Sequence, residues 1–214
     1  MFKTTRFLMT TAALLTLAAP SFAQSQEAYV KGQPSPLSGV YVGGFAGYGW
    51  TDADTDIGTD FDIDGGDYGL FAGYQLDAML DRTIGMGING AIEFHYAWSD
   101  ADDNDTIGGV GVSAEKDHEW GVSFRPGLSF VDNYMPLGLK PYGILGYRQA
   151  EYEATAAGLS GDETYHGFEL GIGTELIAYQ DFGIRLDYSH TFYGEEDGID
   201  PDEDDLRLGV AYHF

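Results

Sequence analysis

The chain contains no cysteine, and only 10 Lys and Arg stand against 35 Asp and Glu in 214 residues. Without thiols there is no disulfide framework, thiolate nucleophile or soft metal-ligand set. A formal charge of −25 repels nucleic acid and anionic lipid headgroups, and argues against binding either without a bridging cation. Long hydrophobic runs are equally scarce. Beyond the N-terminus nothing approaches the roughly 18 consecutive apolar residues a spanning helix needs, which excludes a helical membrane protein.

The one apolar run has the layout of an export signal. Lys3 and Arg6 form a basic start, residues 7–19 an apolar stretch, and Pro20-Ser-Phe-Ala23 a small-residue cleavage site. Residues 1–23 are therefore expected to be removed, leaving 191 residues with 8 basic and 35 acidic side chains. Residues 24–38, with Pro34 and Pro36, read as a flexible periplasmic leader, and 39–214 as one domain.

What the chain has in quantity is Gly (31), Tyr (15) and Phe (13), a composition suited to strands and turns. Its last ten residues show the pattern most plainly. Leu206, Leu208, Val210, Tyr212 and Phe214 fall on one face of an extended strand, with Arg207, Gly209, Ala211 and His213 on the other. The same period of two recurs seven times upstream. The apolar faces carry Val40, Val42 and Trp50; Tyr68, Leu70 and Leu76; Ile88, Ile92 and Trp98; Trp120, Phe124 and Phe130; Leu145 and Tyr147; Phe168, Ile172 and Leu176; Ile184, Leu186 and Phe192. Eight strands are predicted. Four long acidic loops, 51–66, 99–118, 153–164 and 194–204, alternate with short turns, the layout of an antiparallel barrel with short turns on one side of a membrane.

Which face looks outward is decided by the charges. Glu93, Arg125, Arg148, Glu169, Glu175, Arg185, Asp187 and Arg207 all fall opposite the apolar face. A water-soluble barrel would turn these ions outward; here a Gly-rich, charged face must line the axis and the large apolar residues must meet lipid. Four acids and four bases balance, as a narrow lumen requires, so the excess negative charge is expected in the loops. Trp50, Trp98 and Trp120 all fall where strands meet long loops, one aromatic girdle at the external interface.

These residues resemble a known family. Gly39-Val-Tyr-Val-Gly-Gly-Phe-Ala-Gly-Tyr is similar to the first strand of small outer-membrane barrels of the OmpA/OmpX and opacity-protein type. Gly173-Thr-Glu-Leu and Gly183-Ile-Arg-Leu-Asp-Tyr resemble the family's sixth and seventh strands. The resemblance implies an eight-stranded transmembrane β-barrel in a Gram-negative outer membrane, with lipid and lipopolysaccharide as surroundings. It also implies a cross-lumen pair between Glu175 and Arg185, and a C-terminal signal, Tyr212 and Phe214, read by the outer-membrane assembly machinery. Unlike full-length OmpA the chain stops at Phe214, so anchoring to the cell wall is not implied.

Chemistry is sparse. Ser189-His190 is the only Ser–His neighbour pair, and neighbours on a strand point to opposite faces; His95, His118, His166 and His213 show no ligand spacing, so no enzyme is expected. Asp52, Asp54 and Asp56 resemble the start of an EF-hand loop but lack its Gly at position six (Ile57) and Glu at twelve (Ile63). With Asp200, Asp202 and Asp204 they are weak candidates for holding Ca²⁺ or Mg²⁺; otherwise no cofactor is expected, and a solvated, self-repelling surface is the favoured reading. An eight-stranded barrel has an interior just wide enough for side chains, so a plugged, structural barrel is preferred to a narrow channel or an adhesin.

Overall fold

The computed structural model describes residues 38–55, 61–81, 85–107, 110–131, 137–156, 159–178, 181–194 and 199–214. The expected signal segment and all of the leader but Ser38 lie outside the described residues. No described helix is long and apolar enough to cross a membrane, which says nothing about crossing by strands.

Among the described residues nine strands form, all antiparallel to their neighbours: β1 (Gly39–Thr55), β2 (Phe61–Asp81), β3 (Met86–Ser99), β4 (Asp102–Ile107), β5 (Val110–Val131), β6 (Leu137–Ala156), β7 (Leu159–Ala178), β8 (Phe182–Tyr193) and β9 (Ile199–His213). Apart from β3 and β4, each strand pairs with the next in sequence; β9 returns to β1, and β3 pairs with β5, closing the sheet. Eight strands make the barrel wall. The ninth, β4, continues β3 after a break at Asp100–Ala101 and pairs only with the upper part of β5. Closure leaves none of the eight described wall strands at a free sheet edge, as a sheet crossing a membrane requires.

Alternation sets the two faces as the sequence predicts. Ile172, Leu76, Leu70 and Leu208 are more than half exposed, whereas Glu93, Arg148 and Thr191 are fully buried. Inward glycines make room for inward rings. A β-carbon on Gly43 would collide with the ring of Phe71, on Gly69 with Phe45 and on Gly73 with Tyr41. Gly39 has a positive φ of 153° beside the carbonyl of Phe214, a backbone that side-chain-bearing residues avoid, and there Phe214 N–H donates to the Val40 carbonyl (3.0 Å) to seal the ends.

The long acidic loops are corrected by the structure. β1 runs on to Thr55 and β2 starts at Phe61; β6 and β7 stay paired through Ala156↔Leu159. A strand of 20 residues is about 65 Å long and, tilted by about 40°, stands about 50 Å tall, twice the ~25 Å apolar band of such barrels. The barrel wall therefore rises well above the lipid. The physical reason is that alternation continues there with inward residues of mixed kind. Ile63, Ala101, Ala150, Tyr152, Tyr165 and Tyr193 form a second buried apolar cluster, separate from the cluster of Tyr41, Phe45, Phe71, Ala91, Ala97 and Ala211 lower down. Polar outward residues hid these strands from a search for greasy faces.

Candidate functional site

The lumen is the site that the fold assembles. All eight charged residues expected there are buried on the inward face. They form two layers. In the lower layer, towards the chain termini, Arg185 (β8) grips Glu93 (β3) through both terminal nitrogens, at 2.6 and 3.0 Å. Arg125 (β5) bridges Glu93 at 2.9 Å and Asp187 at 2.8 Å. The Tyr41 hydroxyl donates to Glu93 (2.9 Å) and the Tyr142 hydroxyl to Asp187 (2.5 Å), while the Arg185 guanidinium lies 3.6 Å from the centre of the Phe71 ring. Nearest the termini, Glu175 accepts from Lys140 Nζ (2.8 Å) and pairs with His213 Nε2 (2.7 Å). A small polar cavity lies among Tyr41, Gln75, Asn89, Lys140 and Arg185.

In the upper layer Arg148 (β6) is the hub. It reaches Glu169 at 2.6 Å, Ser189 Oγ at 2.9 Å and Glu119 at 3.6 Å, and pairs with Asp205. Arg207 (β9) spans Asp67 (2.7 Å), Glu119 (2.5 Å) and Asp205 (3.3 Å). Lys116 bonds Glu119 at 2.8 Å and pairs with Glu203, which also accepts from the Tyr193 hydroxyl (2.7 Å). His95 approaches Glu119 at 3.5 Å. Buried ions stay charged only when paired this closely.

Two expectations need correction here. Glu175 and Arg185 stand opposite each other in the β7–β8 register but do not pair: the shear of the barrel delivers Arg185 to Glu93 and leaves Glu175 to Lys140 and His213. Nor do four acids balance four bases. Among the described residues nine acids are buried inward (Asp67, Asp77, Glu93, Glu119, Glu169, Glu175, Asp187, Glu203 and Asp205) against six bases, which add Lys116 and Lys140 to the four arginines. Extending each strand's parity one residue past its apolar run would have found Asp67, Glu119 and Asp205, which sit next to Tyr68, Trp120 and Leu206. Cross-lumen partners could not have been found that way.

On the outside, Trp50, Trp98 and Trp120 are partly exposed. Trp98 stacks on Tyr68 with ring centres 5.8 Å apart, and Trp120 on Phe94 at 6.3 Å. At the far end, Tyr212 meets Phe214 (4.9 Å) and Phe182 (5.2 Å) edge-on. Ser189 and His190 diverge: Ser189 is buried against Arg148, while His190 Nδ1 lies 3.0 Å from outward Asp204. The EF-hand-like spacing forms no loop where it is described. Asp52 and Asp54 lie in β1, directly across from Asp202 and Asp200 of β9, and Asp56 lies outside the described residues. Among the described residues no group of three or more His, Asp or Glu is arranged to hold a metal ion.

A bore filled with ions, an apolar outer band and an aromatic girdle define a transmembrane barrel turned inside out relative to soluble ones. The model of the outer membrane protein beta-barrel domain matches residues 9–214, and the chain belongs to that family, placing it in a Gram-negative outer membrane. No curated protein matches it. Solved structures similar to it include neisserial surface protein A, with 17% identity over 85% of this chain and 99% of that one (TM-score 0.48). Ail, the attachment invasion locus protein of Yersinia pestis, solved with the heparin analogue sucrose octasulfate, shows 16% identity over 82% and 99% (TM-score 0.43). The outer membrane enzyme PagL shows 17% over 78% and 99% (TM-score 0.42).

Proposed function

We propose that this protein is a closed, non-enzymatic barrel that supports the outer membrane and carries a tall acidic wall above it. The observation behind this reading is the ion network: at both lumen layers, arginines from one wall reach carboxylates on another, and Tyr152, Tyr165 and Tyr193 fill the bore above them. Surroundings are phospholipid and lipopolysaccharide, and the C-terminal strand with Tyr212 and Phe214 is the segment the assembly machinery would read after export and removal of residues 1–23. Vesicles containing the purified protein should neither leak small solutes nor show large, stable conductance steps; either result would replace the plug with a channel.

The channel reading has one observation in its favour. Arg185 is held by Glu93 but stands in register with Glu175, so exchange between two carboxylates would break the lower layer beside its polar cavity. A Glu93→Gln variant that raised conductance would support it. The adhesin reading is narrowed by charge: every Lys and Arg described in the barrel is buried inward, so the wall is unsuited to sulfated or phosphorylated polymers and better suited to a basic partner. If Ca²⁺ or Mg²⁺ binds near Asp52, Asp54, Asp200, Asp202 or Asp204, a calcium titration should slow proteolysis of the wall; no change would remove the metal.

A further inference from the structure

We propose that the upper layer of the lumen captures a small monovalent cation from solution, a proton or an alkali-metal ion, over the inner face of Gly47 and Gly49. The upper layer buries five carboxylates (Asp67, Glu119, Glu169, Glu203 and Asp205) against three fixed cations (Lys116, Arg148 and Arg207), with His95 beside Glu119. The lower layer buries four (Asp77, Glu93, Glu175 and Asp187) against Arg125, Lys140 and Arg185, with His213 on Glu175. If both histidines are neutral, or both charged, the upper layer is more negative by one charge. A buried charge without a counter-ion costs several kcal/mol, so the shortfall is met from outside.

Asp67 Oδ1 is buried without a hydrogen-bond donor, and Asp67 is only 5% exposed. Its one arginine within ion-pair distance, Arg207, is shared with Glu119 and Asp205.

Gly47 and Gly49 are inward residues of β1 with no side chain, and acids approach the space this leaves. A β-carbon on Gly47 would run into Asp67 Oδ1 and the stem of Arg207; one on Gly49 would sit 3.1 Å from both Glu203 Oε1 and Asp205 Oδ1. Those two oxygens thus lie no more than twice that distance apart. Lys116 bonds Glu203 Oε1 and Arg207 bonds Asp205 Oδ1, but both cations are shared with Glu119, so neither carboxylate has a cation of its own.

The test uses the folded barrel in vesicles and reads its melting midpoint by heat-dependent gel mobility. In one arm, at pH 8 and constant ionic strength, the bulky cation N-methylglucamine is exchanged for Na⁺ or K⁺. In the other, pH falls from 8 to 5 in N-methylglucamine alone. A rise of several degrees in the first arm identifies an alkali ion, and a rise confined to the second identifies a proton. In either case Asp67→Asn and Glu203→Gln should each remove more than half of the rise. Asp187→Asn, in the lower layer, should lower the midpoint yet keep the full rise. No rise in either arm, or a rise that neither upper-layer variant reduces, overturns the proposal.

Discussion

On β8, Ile184, Leu186, Tyr188 and Phe192 point out while Arg185, Asp187, Ser189 and Thr191 point in, so two opposite solvents are separated by the thickness of one sheet. The two faces obey different rules. An outward side chain need only be apolar, because lipid offers it no specific partner. An inward side chain has named partners at fixed distances, and its neighbours depend on it. Identity should therefore matter little outside and greatly inside, and the following substitutions probe that asymmetry.

The largest effect is expected from Arg148→Met. It strands Glu169 in a buried site, leaves Asp205 only its longer contact to Arg207, and should cost about 3–5 kcal/mol in urea unfolding from vesicles. Next, Ile172→Arg places a charge on the most exposed large apolar position among the described residues and should cost about 2–4 kcal/mol. Tyr41→Phe removes one donor from Glu93, which keeps both arginines, and should cost about 1.5–3 kcal/mol in the same assay. Leu208→Ile, on the lipid face, should stay within about 0.5 kcal/mol. A large loss at Leu208, or none at Arg148, would erase the asymmetry.

The two faces also differ in how far they could be read from the chain. Outward residues announce themselves locally, since Leu206, Leu208 and Val210 alternate with Arg207 and Gly209 whatever the rest of the barrel does. Parity alone then placed Glu93, Arg148 and Asp187 inside. Partner choice is another matter. Glu93 and Arg185 are 92 residues apart, and only closure and shear bring them together, so the Glu175–Arg185 expectation failed although each residue lies on the expected face. The extended wall was missed for a related reason. Asp52-Ala-Asp-Thr pairs with β9 as strand, but it carries no apolar alternation, and its polarity looked like a loop.

The measurement that bears most directly on the inside-out arrangement uses the absence of cysteine. A single Ile172→Cys variant, folded into vesicles, is offered either a lipid-soluble or a strictly water-soluble maleimide. Rapid labelling by the first and none by the second is the result this structure predicts. Labelling by neither, in a chain that stays monomeric in buffer without detergent, would mean that Ile172 faces a protein core and that the apolar wall has been assigned to the wrong side.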